Sequence, residues 1–236
     1  MLSYLFGVIS GQYEIKDVIL QLCVLAFVWA CCLPVHESAH AWMANRLGDA
    51  TGRLSGRITL NPMAHLSLPG TLMMIVFGFG YARPVPVNIR NFPVRKRKQY
   101  FALTAAAGPL SNLLLAVIFT FFANIAYFVL MKGGAENAAL IAAYQFFGGV
   151  AYVNVALAIF NLIPFPPLDG SRLISMFLPD ELYYKLLSYE RYTMYILFGL
   201  IFLFNRIGIS PIGILTRLVY GGIDKLIGLP FELLLR

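Results

Sequence analysis

With 236 residues, 59% of them hydrophobic and only 12% charged, and a mean hydropathy of +0.75, the chain cannot be an ordinary soluble globular domain. It reads as an integral membrane protein, and its length admits a single domain over residues 1–236 with no added soluble module of usual size. The formal charge of +7 does not indicate nucleic-acid binding: the basic residues fall mainly between apolar runs and include the cluster Arg95, Lys96, Arg97 and Lys98, the pattern of a positive-inside loop touching anionic membrane lipid.

Residues 1–11 carry a short apolar stretch without a basic n-region or a small-residue cleavage site, so no removable signal peptide is expected and the first span must direct insertion. Residues 18–35 are uncharged and run straight into His36. A helix over about 17–47 can therefore cross a ~30 Å hydrocarbon core, and Gly48 ends it. Cys23, Cys31 and Cys32 lie in this run without CxxC spacing, which favours small core residues over a cysteine metal site. Over 52–60, Arg53, Ser55, Arg57 and Thr59 alternate with Leu54, Gly56, Ile58 and Leu60, which predicts a short strand. Asn61-Pro62 is a turn signal. The apolar stretch 66–81 holds Pro69, Gly70, Gly78 and Gly80 and is short for a span, as expected of a re-entrant segment beside a hydrated pocket. Either this segment or the strand is a candidate for pairing with an unwound substrate.

Residues 99–131 and 137–168 are uncharged and predict two spans, joined at Lys132-Gly133-Gly134 as an antiparallel hairpin. Residues 192–205 form a short candidate span. Residues 211–236 hold Arg217, Asp224 and Lys225 among apolar residues, which favours an interfacial amphipathic helix. The expected architecture is an all-α polytopic bundle of about four to six membrane segments. Three of the predicted spans fall in a core over about 17–175, and further membrane or interfacial helices follow over about 190–236. The positive-inside rule places 83–98 in the cytoplasm, together with Arg46, Arg53 and Arg57. Residues 161–170 then return to the same side, most naturally of a plasma membrane.

The chemistry concentrates at two places. On a helix, His36-Glu37-Ser38-Ala39-His40 puts two imidazoles one turn apart on one face, able to share a Zn²⁺, with Glu37 within reach of a water as general base. Of the eleven acidic residues, only Glu37 and Asp169 lie within or directly against long apolar runs. A charge there costs ~2.5–3.5 kcal/mol on insertion scales and faces a functional interior. Asp169 follows Asn161-Leu-Ile-Pro-Phe-Pro-Pro-Leu, in which Pro164, Pro166 and Pro167 must stop the helix, so it is the natural third ligand. Gly170 permits close backbone approach, and Ser171 is a candidate cap for a helix beginning near Arg172. Two imidazoles and one carboxylate leave a fourth tetrahedral position open, as in catalytic zinc sites. Asn161 is a candidate donor to a developing oxyanion or to substrate backbone.

With both motifs in hand, the chain resembles the site-2 protease family of intramembrane zinc metallopeptidases. The resemblance rests on His36-Glu37-Ser38-Ala39-His40 and on Asn161-x-x-Pro164-x-Pro166-Pro167-Leu168-Asp169-Gly170, with Gly108-Pro109-x-x-Asn112 between them. It implies one zinc ion held by His36, His40 and Asp169, catalysis by Glu37, a family asparagine at Asn161 near the active site, and cleavage of transmembrane segments of other proteins. Many relatives carry a PDZ or CBS domain, for which this chain has no room; it looks like a compact member.

His65 is expected to be a loop histidine bonded to backbone or water rather than a ligand. Gly108, Pro109 and Asn112 are expected to serve helix packing. No Gly-x-Ser-Gly of rhomboid type and no pair of aspartyl-protease motifs occurs. The rival functions are a metal transporter using the same three ligands and a non-catalytic scaffold. The first needs more ligands along a path than His65 offers, and the second leaves Glu37 without a purpose.

Overall fold

The computed structural model describes residues 14–77, 80–133, 137–179, part of 181–204, and 210–235. The α-helices with described bounds are α1 (Ile15–Arg46), α2 (Thr51–Leu54), α3 (Leu68–Phe77), α4 (Arg97–Lys132), α5 (Ala138–Leu162), α6 (Asp169–Ser175) and α7 (Pro211–Leu235). The described residues contain no strand. Three helical segments, α1, Val94–Lys132 and α5, are long and apolar enough to cross a membrane.

The charge-free runs set these lengths, and small residues set the packing. Along α4 the buried positions are small, with Ala102, Ala105, Ala107, Ala116, Ala123 and Ala126 inside, while Leu103, Leu110, Leu114 and Val117 are exposed. This inverts the pattern of a soluble helix. Lipid solvates large apolar side chains as well as a protein core does, so helix association depends on close approach rather than on hiding leucines. α4 and α5 run antiparallel, shown by the cross-helix pairs Asn112 with Asn154, Phe119 with Phe147 and Tyr127 with Tyr144. α1 lies against both. Its Val24, Val28 and Cys32 meet Val150 of α5, and a Cβ on Gly149 would lie 3.0 Å from Val24.

The five residues Val28–Cys32 form a π-helical turn within α1. Pro34 follows within two residues and has no N–H to offer the carbonyl of Ala30, which favours a widened turn there. The buried stripe Val24, Val28, Cys32, His36, His40, Ala44 advances by four residues at each step. A regular helix would drift off such a line by about 40° per step, and the wider turn takes up part of that drift. The upper apolar face and the histidine face therefore point into the same bundle.

Three expectations change. Residues 52–60 are not a strand: Asp49 accepts from the N–H and hydroxyl of Thr51 and starts the short helix α2, and Gly56, at φ +67°, ends it. The backbone of Thr59 then pairs with the side chains of Ser38 and His65 instead of a neighbouring strand. The run 137–168 is helical only to Leu162, because Ile163 precedes a proline and is extended. Of the cysteines, only Cys32 is in the core; Cys23 and Cys31 are exposed on other faces of α1. α7, expected as an interfacial helix, is not among the candidate spans of the described residues. It packs lengthwise on the α4–α5 hairpin through Tyr220 on Tyr152, Gly228 on Asn124 and Phe231 on Phe121 and Phe128. Its Asp224 accepts a 3.0 Å hydrogen bond from Asn124, which satisfies the charged residue there. The expected span over 192–205 falls largely outside the described residues. So do residues 1–11 and part of the turn after Lys132.

Candidate metal centre

His36 and His40 are both buried, on the second half of α1. Their Nε2 atoms lie 3.0 Å apart, and Asp169 Oδ2 is 3.5 Å from the first and 3.2 Å from the second. The ligand atoms of the three residues all lie within 4.8 Å of one another. Asp169 reaches them because the proline segment ends α5 and α6 begins at Asp169 itself. Gly170 is required by the turn, since a Cβ would collide with the backbone of Leu162 and Ile163. Ser171 is not the helix cap expected from sequence: it sits inside α6, and its hydroxyl donates to the Leu168 carbonyl at 2.7 Å. Arg172 stacks over Phe101 at 5.2 Å and ties α6 to α4.

Partners on α4 and α5 fix which imidazole atoms face inward. His40 Nδ1 lies 2.8 Å from the Thr104 carbonyl, so it carries the proton and donates. His36 Nδ1 lies 2.6 Å from Asn112 Oδ1. The Asn112 amide donates to Asn154 Oδ1 at 3.1 Å, and the Asn154 amide donates to the Val150 carbonyl at 2.9 Å. A backbone carbonyl can only accept, so it sets the polarity of this whole chain and leaves Asn112 Oδ1 to accept from His36. Both Nε2 atoms are thereby left with lone pairs directed at each other and at a carboxylate. Three electron-rich atoms at such distances require a cation between them, and two imidazoles with one carboxylate form a donor set suited to zinc. Gly108 of α4 completes the fit, because any Cβ there would run into the rings of His36 and His40.

Glu37 is buried on the same helix. Ser38, the next residue, both donates to Thr59 O and accepts from Thr59 N, at 3.2 Å for the latter. Thr59 O also meets His65 Nε2 at 2.8 Å, so His65 is a loop histidine bonded to backbone and is not in the cluster. The His65 carbonyl accepts from Arg83 N at 2.7 Å, which closes a loop over 66–82 containing α3. At its 10 residues, or ~15 Å, α3 is about half the length needed to span. Arg57 clamps the neck of that loop, donating to the carbonyls of Ala64 on one side and of Arg83 and Pro84 on the other.

The structure thus unites His36, His40 and Asp169, with Glu37 adjacent in sequence. Asn161 lies at the end of α5, and its amide donates to the Leu157 carbonyl of its own helix at 3.0 Å. Gly108 and Asn112, assigned to packing from sequence, do pack, and they also shape and orient the ligand cluster. Asn154 was not singled out, although an amide in the middle of an uncharged run was the available signal. Thr104 acts through its backbone carbonyl and gave no such signal.

A bundle of apolar helices holding a buried His-His-Asp cluster beside a glutamate defines a membrane protein with a metal centre of the hydrolase type. Residues 24–205 match the model of peptidase family M50, and the chain belongs to that family. It is 38% identical to "Putative zinc metalloprotease YwhC" of Bacillus subtilis over 83% of this chain and 85% of that protein. It is 30% identical to "Putative zinc metalloprotease Rip2" of Mycolicibacterium smegmatis over 60% of this chain, and 28% identical to the Mycobacterium tuberculosis protein of the same name over 65%. It spans about half the length of the two Rip2 proteins. No solved structure matches.

Proposed function

We propose that the chain is a zinc-dependent intramembrane endopeptidase. In this reading it hydrolyses peptide bonds in or near transmembrane segments of other membrane proteins. The observation that carries this is the convergence of His36, His40 and Asp169, with both histidines held in the tautomer that turns Nε2 inward. The family and the names of its relatives support a zinc metalloprotease. His36, His40 and Asp169 hold the ion, which when bound supplies a Lewis acid that polarises a carbonyl and acidifies water.

Glu37 takes the proton from the attacking water and passes it to the leaving amine. Asn112 and the Thr104 carbonyl hold the two imidazoles in register, and Gly108 keeps α4 close enough to shield them from lipid. Asn161 retains one amide hydrogen beyond that given to Leu157, available to substrate backbone. The loop over 66–82, tied at its neck by Arg57 and by the Arg83–His65 hydrogen bond, enters and leaves at one level and is read as a re-entrant segment bordering the substrate path. The whole chain acts as one multi-pass domain, with its core over about 17–175. It resides in the plasma membrane with the active site towards the cytoplasm, in contact with lipid.

The test is cleavage of a panel of single-span membrane proteins in liposomes by wild type and by Glu37→Gln, with bound zinc assayed in both. Wild-type cleavage, lost by ~10²–10⁴-fold in Glu37→Gln at equal zinc content, is expected. Equal cleavage by the two would remove Glu37 from the mechanism. No cleavage by either with zinc present would contradict the protease reading.

A further inference from the structure

Arg57 lies outside the spans, is only 4% exposed, and has no carboxylate partner among the described residues. Its terminal nitrogens are taken by three backbone carbonyls, and its Nε–H has no hydrogen-bond partner. Asp49, the one acidic residue between 46 and 98, is already committed to Thr51, Asn88 and Asn91. A buried cation whose direct partners are all dipoles, with only the more distant charge of Glu37 opposite it, is costly, and the cost falls if an anion can enter. Burial pushes the Arg57 pKa down, the charge of Glu37 opposes this, and the nearby Arg83 adds to the fall.

A way in exists. A cavity of about 240 Å³ is lined by Arg57 and Arg83 with Ser55, Met63, Pro84 and Pro86, and no acidic side chain faces it. That is several times the ~30 Å³ a water occupies in the liquid. The cavity sits between the end of α1 and the start of α4, where half of the chain's 18 Lys and Arg residues fall within 46–98. Such a basic rim belongs at the depth of lipid headgroups.

We propose that this cavity is a binding site for a phosphate group, with the buried Arg57 and the exposed Arg83 supplying the charge. Arg57 contributes its charge and the one Nη1 hydrogen not given to Ala64, while the exposed Arg83 offers the guanidinium fork that matches phosphate oxygens. The source is a phospholipid headgroup or inorganic phosphate, which share this chemistry. Because Arg57 also clamps the neck of the 66–82 loop, an anion bound there steadies that clamp. The proposal does not depend on the chain's being a protease.

The full chain, purified in uncharged detergent, is titrated with short-chain phosphatidylglycerol and separately with inorganic phosphate, read by native mass spectrometry and thermal unfolding. Wild type is expected to retain one tight adduct. Arg83→Gln, an exposed substitution that leaves the clamp on Arg57 intact, should weaken it by about tenfold or more. Arg90→Gln, on the same face but away from the cavity, should change it less than about twofold. Arg57→Lys, which keeps the charge and loses the Nη1 donor, should weaken it as Arg83→Gln does. Retention of the lipid alone names a headgroup as the source, and equal protection by inorganic phosphate names the free anion; either satisfies the proposal. Equal weakening by Arg83→Gln and Arg90→Gln, or no adduct on wild type, would overturn it.

Discussion

The metal centre and the basic neck over 46–98 solve the same problem, polar groups at membrane depth or at its edge, in opposite ways. At the centre, His36 Nδ1 and the side-chain amides of Asn112 and Asn154 form a directional chain that ends on a backbone carbonyl and crosses three helices. At the neck there is little regular structure. Side chains of Ser38, His65, Arg57 and Asp49 do the work of a sheet or helix ladder, and one buried cation donates its hydrogen bonds to backbone carbonyls. The first arrangement fixes geometry for a metal. The second leaves a segment that can be tightened or loosened.

The largest expected effect falls on the centre. His40→Ala should remove bound zinc and reduce cleavage to background, measured by metal content after dialysis and by the liposome assay. Retained zinc at full stoichiometry would break the contrast, since the ion would then sit elsewhere. Gly108→Ala places a methyl group against both imidazoles. Overpacking of this kind costs ~1–3 kcal/mol, so thermal stability and zinc affinity should fall together. Asn112→Ala removes the acceptor for His36 but no ligand. A 10- to 100-fold loss of zinc affinity is expected, within the usual range of about 10–100-fold for such outer partners, with Glu37 chemistry otherwise intact. Asn154→Ala should show a weaker form of the same loss.

At the neck the effects are smaller and depend on pH. Burial would raise the Asp49 carboxyl, but hydrogen bonds from Thr51, Asn91 and the backbone N–H of Asn88 outweigh it and hold its pKa below the ordinary carboxylate range. A depressed folded-state pKa adds stability that is full above about pH 4 and is lost as pH falls through the folded value. Asp49→Ala should therefore cost ~1–3 kcal/mol near neutrality, and the gap from wild type should close in acid. Thermal unfolding across a pH series checks this; a gap that persists at low pH would show that shape, not charge, holds the junction.

The same contrast explains what the sequence could tell. Spans were legible because lipid excludes charge: the helix expected over 17–47 and the uncharged run 99–131 end within two residues of the ends of α1 and α4. His36, His40 and Asp169 were legible because ionisable groups beside apolar runs are rare. The alternation over 52–60 misled, since Arg53, Arg57 and Thr59 owe their spacing to a capped turn and a clamp rather than to a pleat. Asn154 resembled any packing amide, and its role depends on a partner 42 residues away. Gly108 could not show from sequence that its missing side chain makes room for two imidazoles.

The most direct measurement is zinc-edge X-ray absorption on the purified chain, wild type beside Asp169→Asn. The predicted wild-type spectrum has two imidazole nitrogens and oxygen at about 2.0–2.2 Å and no sulfur, with the metal weakly held or lost in Asp169→Asn. A sulfur shell near 2.3 Å would assign the ion to cysteine. Unchanged zinc in Asp169→Asn would equally contradict a centre built on His36, His40 and Asp169.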